Sequence, residues 1–214
     1  MESKELVQIG AGTATMEGML ELPTPPIGVV LFAHGSGSSR LSPRNNYVAG
    51  VLREARIGTL LLDLLTPQED RTYENRFNIP LLTQRLGFAA AWLSQQPATS
   101  TLKLGLFGAS TGAAAALQLA AEPGIDIAAV VSRGGRPDLA GRHALQAVRA
   151  PTLLLVGGDD DIVIELNRRA HDDLRCEKQL VIVPGATHLF EEPGKLEEVA
   201  SLATNWFVSH FPNG

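Results

Sequence analysis

Read from its amino end, the chain alternates short runs that are largely apolar on both faces with longer segments whose apolar residues recur at three- and four-residue spacing. The short runs are Ile27–Ala33, Thr59–Asp63, Leu102–Phe107, Ile127–Ser132, Thr152–Val156 and Gln179–Val183. A strand that is apolar on both faces needs a layer on each side of it. The longer segments, Asn46–Ala55, Leu81–Ser94, Thr111–Ala121, Val163–Leu174 and Leu196–His210, have the helical spacing to supply those layers. Strands alternating with helices predict parallel pairing, right-handed crossovers and a three-layer, doubly wound α/β sheet. Two half-polar stretches, Leu6–Ile9 and Thr13–Glu21, precede the first buried run and predict an antiparallel hairpin at one edge. The sequence has no linker, repeat or low-complexity tract, and the Ser132–Pro151 connection is too short for a large lid domain. Residues 1–214 are therefore expected to form one domain.

Composition removes several classes of function. An apolar fraction of 44% is enough for a sizeable core. A formal net charge of -5, with acids and bases interspersed, lacks the basic face of a nucleic-acid binder. The opening MESKELVQIG has no basic stretch followed by an apolar one, and the Ala113–Ala121 run is too short to cross a bilayer. One cysteine, Cys176, forms no intramolecular disulfide and fits a reducing compartment. A soluble, cytoplasmic protein without membrane or nucleic-acid partners is expected, with monomer and homodimer equally compatible.

In open α/β sheets, ligands sit beyond the carboxyl ends of the strands, so reactive groups are sought there. After the run ending at Phe107 comes Gly108-Ala109-Ser110-Thr111-Gly112, then an Ala-rich helical stretch. This is G-x-S-x-G between strand and helix, the context of a nucleophile elbow. The turn lifts the Ser110 hydroxyl clear of the sheet, and the glycines keep side chains out of a crowded strand–helix junction. The amide after the serine, on Thr111, then faces a developing oxyanion at the positive helix end. The plainer alternative is a glycine-rich turn whose serine caps the next helix.

A serine hydroxyl attacks well only when a base takes its proton and a third group fixes that base. The hydrolase arrangement needs an acid and then a histidine, each after a later strand. Thr152–Val156 leads into Gly157-Gly158-Asp159-Asp160-Asp161, and Gln179–Val183 leads into Pro184-Gly185-Ala186-Thr187-His188. Asp160 is taken as the acid, with Asp161 second; the other aspartates cap or complement the next helix. A metal site at these aspartates is weaker, because no matching His or Glu lies nearby. His188 alone among five histidines sits in a loop directly after a late strand. His143, His171 and His210 fall on helices, and His34 suits a structural hydrogen bond.

The Ile27–Ala33 run enters His34-Gly35-Ser36-Gly37-Ser38-Ser39-Arg40, where the second oxyanion donor belongs; the Ser36 amide is the first choice and Gly35 the second. The rival is a dinucleotide loop, with Gly35-Ser36-Gly37 as its start and Asp63 as the ribose contact, but Arg40 stands where its third glycine is required.

Taken together, HGSGSSR, GASTGAA, LLLVGGDDD and PGATH resemble the dienelactone hydrolase-like branch of the α/β-hydrolase superfamily, in order and over nearly the whole chain from Glu17. More closely, the chain resembles small bacterial serine hydrolases sometimes fused to a phosphoribosyltransferase domain, which is not present here. The resemblance implies an α/β-hydrolase fold without a large lid, no cofactor or metal, and a carboxyl ester or lactone as small-molecule partner. It carries nucleophile, acid and base onto Ser110, Asp160 and His188. The namesake enzymes use a cysteine nucleophile, so the serine here points to ester hydrolysis in general and not to dienelactone itself. Acyl transfer by the same triad, and a non-catalytic binding module on the same fold, stay open.

Arg40, Arg44, Arg133 and Arg136 lie near carboxyl ends of strands. They are candidates for a carboxylate or phosphate clamp, against salt bridging to Asp63, Asp138 or neighbouring acids. Phe88, Trp92 and Trp206 suit core packing and Cys176 an inert thiol.

Overall fold

The structure is a computed structural model that describes residues 3–211. Eight strands form one sheet in the order β1-β2-β4-β3-β5-β6-β7-β8. The strands are β1 (Ser3–Ala11), β2 (Ala14–Leu22), β3 (Gly28–Ala33), β4 (Ile57–Leu62), β5 (Leu104–Ala109), β6 (Ile127–Arg133), β7 (Thr152–Gly157) and β8 (Lys178–Val183). The predicted hairpin is β1–β2, and β2 joins β4 antiparallel; every other pairing is parallel. The chain runs outward from β3 to β4, then returns to lay β5 on the other side of β3. This reversal opens a crevice between the ends of β3 and β5, where ligands bind in such sheets.

Helices cover both faces, as strands apolar on two sides require. On one face α2 (Ile79–Gln95), α3 (Thr111–Ala121), α4 (Arg142–Ala147) and α5 (Asp161–Asp173) pack over Leu31, Leu60, Leu106, Val130 and Leu154. On the other, α1 (Pro43–Glu54) and α6 (Lys195–His210) pack over Phe32, Phe107, Val131 and Leu155. Glycines in β3 and β5 let α6 approach closely. A Cβ on Gly105 would sit 2.6 Å from the Phe207 ring, and one on Gly28 2.5 Å from Phe211.

Differences from the sequence reading are local. α1 and α2 begin at Pro43 and Ile79, earlier than the apolar spacing suggests, because Ser42 and Asn78 cap them by accepting from the Asn45 and Leu81 amides. The Ser132–Pro151 connection holds a 3-10 turn (Pro137–Ala140) and the short α4, neither visible as periodicity. Two more 3-10 turns, Glu69–Arg71 and Tyr73–Phe77, occupy the passage from β4 to α2. Phe88 and Trp92 pack against one core layer and Trp206 against the other. Among the described residues, no helix is long and apolar enough to cross a membrane.

Candidate active site

Ser110 sits between β5 and α3 at φ 50° and ψ -120°, a region that a non-glycine residue occupies only when its surroundings force it. The neighbours supply that force. A Cβ on Gly108 would fall 2.4 Å from Ala113 Cα, and one on Gly112 2.2 Å from the Ala33 carbonyl oxygen. The junction closes only with glycine at both positions. The Ser110 amide donates to the Arg133 carbonyl at 3.3 Å, and its own carbonyl accepts from the Arg136 amide at 3.0 Å. Its side chain makes no capping bond, so the helix-cap alternative does not describe this serine.

Asp160 and His188 meet at the same edge. His188 Nδ1 lies 2.7 Å from Asp160 Oδ2, which makes Nδ1–H the donor and leaves Nε2 as the basic nitrogen. Asp160 precedes α5 but makes no capping bond, while Asp159 and Asp161 are exposed. The loops that carry the pair interlock: the Gly158 amide donates to the Val183 carbonyl and the Asp159 amide to the Ala186 carbonyl. Phe190, two residues after His188, takes a left-handed φ of 57° and buries its ring in the core, which holds the His188 segment down. The His188 ring also lies against Gly134, where a Cβ would be 3.5 Å from Nδ1 and Cε1. Among the described residues, no hydrogen bond joins Ser110 Oγ to His188.

Gly35 brings the loop after β3 against the elbow; a Cβ there would be 3.1 Å from Ser110 Cβ. His34 is buried and shapes this loop. Its Nε2 accepts from the Leu64 amide at 3.0 Å, so Nδ1 carries the proton and donates to the Gly35 carbonyl at 2.8 Å. Burial pulls its pKa below the ordinary value, so the ring is neutral. In a trans peptide, fixing the Gly35 carbonyl toward His34 turns the Ser36 N–H the opposite way. Among the described residues, neither the Ser36 nor the Thr111 amide donates to a protein acceptor. The loop is braced from outside by Arg76, whose Nη1 would lie 3.6 Å from a Cβ on Gly37 and whose guanidinium is held by both Asp70 carboxylate oxygens. Nothing in the sequence singles out Arg76, Asp70 or Phe190, because they act from segments without periodicity.

The four arginines separate. Arg40 is engaged by Asp63 through its amide and guanidinium and by Glu17 at 3.0 Å; this also occupies the acid that a dinucleotide site would need. Arg136 pairs with Asp138 and Arg44 with Glu191. Arg133 is different. It is only 7% exposed, its Nη1 is enclosed without a hydrogen-bond partner, and among the described residues it makes no ion pair. Burial, and next the charge of Arg44, pull its pKa down to about 10. Cys176 is half-buried, with its thiol pushed up by burial, far from Ser110 at the opposite end of the sheet. Among the described residues, no cluster of His, Cys, Asp and Glu is arranged to hold a metal ion.

A doubly wound sheet with a strained serine elbow at its crevice defines an α/β hydrolase. The dienelactone hydrolase family model matches residues 60–211, and the chain belongs to that family. A Mycobacterium tuberculosis protein with a provisional phosphoribosyl transferase name is 58% identical over 206 residues, 96% of this chain and 46% of that protein. The chain thus spans about half the length of the curated relatives it matches. The crystal structure of a dienelactone hydrolase from Anabaena variabilis is 53% identical, with a TM-score of 0.94 over 98% of both chains. A Xanthomonas campestris α/β serine hydrolase described as lacking a lid shares the fold at 21% identity, with a TM-score of 0.80 over 99% of this chain and 97% of that one.

Proposed function

We propose that the chain hydrolyses carboxylic esters or lactones through an acyl-enzyme on Ser110, with His188 as base and Asp160 as the acid that orients it. The observation that carries this reading is the 2.7 Å contact between His188 Nδ1 and Asp160 at the edge where Ser110 is held at φ 50°. His188 Nε2 takes the Ser110 proton as Oγ attacks the carbonyl carbon, and the Ser36 and Thr111 amides receive the oxyanion. His188 then hands the proton to the leaving alkoxide oxygen. Water, deprotonated by the same nitrogen, attacks the acyl carbonyl and Ser110 leaves with the proton returned. No step calls for a metal or cofactor.

The substrate is small and carries an acidic group. Support comes from Arg133: a buried guanidinium with no counter-charge is costly by several kcal/mol, and a carboxylate or phosphate oxygen relieves it. Arg44, Arg40 and Arg136 are already occupied by Glu191, Asp63 and Asp138. The whole protein works in the cytoplasm without membrane or nucleic-acid partners, and residues 1–214 act as one hydrolase unit, in keeping with the single sheet and the charge of -5.

The test is intact-mass analysis after exposure to a fluorophosphonate. One adduct on the wild type and none on Ser110→Ala is expected. An unlabelled wild type, or a labelled Ser110→Ala, overturns the assignment and brings forward a non-catalytic binding module.

A further inference from the structure

Large apolar side chains left in solvent are unevenly placed on this molecule. Leu41, Tyr73, Phe77, Ile162 and Leu189 are five of the eight that are exposed among the described residues. All five lie in segments that leave the carboxyl edge of the sheet, and they are interleaved with the candidate site. Leu189 follows His188, Ile162 comes two residues after Asp160, and Leu41 follows the loop that carries Ser36. Tyr73 and Phe77 bracket Arg76, which rests on Gly37 of that loop. The Arg44–Glu191 pair ties the Leu41 side to the Leu189 side. Topology thus places all five, an apolar collar, at the sheet edge that carries Ser110. Ile162 at 77% and Leu41 at 69% exposed have no structural reason to be apolar, since each could be polar without loss of core.

The Tyr73–Phe77 pair is the built part of this collar. The ring centroids are 5.2 Å apart with planes at 56°, in a 3-10 turn, and the Arg76 guanidinium lies 5.9 Å from the Tyr73 centroid. Arg76 is in turn clamped by Asp70, so the rings are held in place before any ligand arrives. Beside the elbow, the cavity lined by Gly35, Ser36, Leu65, Leu82 and Thr111 is about 10 Å³, space for one water-sized group. A ring or branched chain does not fit in that cavity and must lie outside it.

We infer that the collar is a specificity surface for a bulky apolar group, aromatic by preference, attached next to the reacting carbonyl, with only a small group entering the cavity. This inference rests on Ser110 being the nucleophile. A bilayer is the less suitable occupant, because exposed acids outnumber exposed bases beside the collar residues: Glu74, Asp161 and Glu191 against Arg71. Surfaces that dock on anionic lipid carry lysine and arginine at those places.

The test is equilibrium binding of two amides that the enzyme need not turn over, N-benzylacetamide and N-methylacetamide, followed by ligand-observed NMR or calorimetry. The wild type is expected to hold the benzyl compound about tenfold more tightly, the scale of one ring face leaving water. Tyr73→Ser/Phe77→Ser, and separately Leu189→Ser, should shrink that ratio toward one; Tyr73→Phe should keep it, and so should Leu6→Ser on the distant edge strand. Equal binding by the wild type overturns the inference, as does a ratio that survives both collar variants. Cosedimentation with phosphatidylcholine vesicles without preference between the amides overturns it in favour of a lipid surface. Because nothing is hydrolysed, a failure to label Ser110 leaves this measurement intact, so the two readings fail separately.

Discussion

The two halves of the candidate site are held in place by different physics. On the nucleophile side, Ser110 is fixed by backbone collisions: Gly108 and Gly112 leave no space for any side chain, and φ at Ser110 is forced positive. On the Asp160–His188 side the loop backbones are crowded too, since a Cβ on Gly157 would fall 2.4 Å from the Ala186 carbonyl oxygen, but neither functional residue is itself held at a forced φ. Asp160 and His188 stand on loops and are joined by one side-chain hydrogen bond, with His188 38% and Asp160 18% exposed at their side chains. Ser110 is thus fixed by its own backbone, whereas the Asp160–His188 side-chain contact can loosen without unfolding the protein. Damage to the first half should register as lost stability, and damage to the second as lost rate.

The sharpest way to test that contrast is at the aspartates. Asp160→Asn should slow fluorophosphonate labelling about 10³- to 10⁴-fold, because the amide no longer holds the Nδ1–H tautomer. Asp159→Asn and Asp161→Asn should stay within about twofold, and urea unfolding of all three should match the wild type within about 1 kcal/mol. An equal loss at Asp161 would move the acid by one residue. On the other half, Gly112→Ala should cost about 3–5 kcal/mol in urea unfolding or prevent folding, since its Cβ would lie 2.2 Å from the Ala33 carbonyl oxygen. Gly10→Ala, with open space around it, should change stability by less than about 1 kcal/mol. Similar costs at both glycines would dissolve the argument from crowding.

Smaller effects probe what surrounds the two halves. Arg133→Met should raise KM for an anionic ester such as a hemisuccinate about tenfold with little change in kcat, and affect a neutral ester much less. A matching rise for both esters would show that Arg133 supports structure alone. His34 gives the smallest effect. Burial lowers its pKa, so between that lowered value and 6.5 the folded state binds fewer protons there than the unfolded chain does. Its contribution to stability is complete above pH 6.5 and is lost as pH falls toward the folded pKa. The slope is at most about 1.4 kcal/mol per pH unit. His34→Asn, which cannot titrate, should lose less stability than the wild type between about pH 7 and pH 5.5 in urea. Equal losses would mean that His34 has the same pKa in the folded and the unfolded chain.

How much was legible beforehand follows the range of the forces involved. The strands from β3 to β8 and the long helices were readable because burial on two faces or one imposes its period on the sequence. The helix starts at Pro43 and Ile79 were missed, since caps are single polar contacts and leave no period. Ser110 announced itself because its backbone conformation demands glycines at fixed local spacing. Asp160 was separable from Asp161 only in part: both fit the same loop, and the choice depends on where His188 arrives from a different strand. The four arginines read alike in sequence, and only their partners distinguish Arg133 from the others.

The sequence by itself determined the alternation of strands and helices, the order in which the Ser110, Asp160 and His188 loops follow their strands, and the strained turn at Ser110. These depend on local sterics and on the periodicity of burial, both of which act between residues close in the chain. The tertiary structure alone decided which aspartate faces His188, which arginine is left buried without a counter-charge, and that five apolar residues from four segments at one sheet edge stay exposed. Those outcomes depend on distances between segments that the chain brings together from far apart, and no local pattern records them.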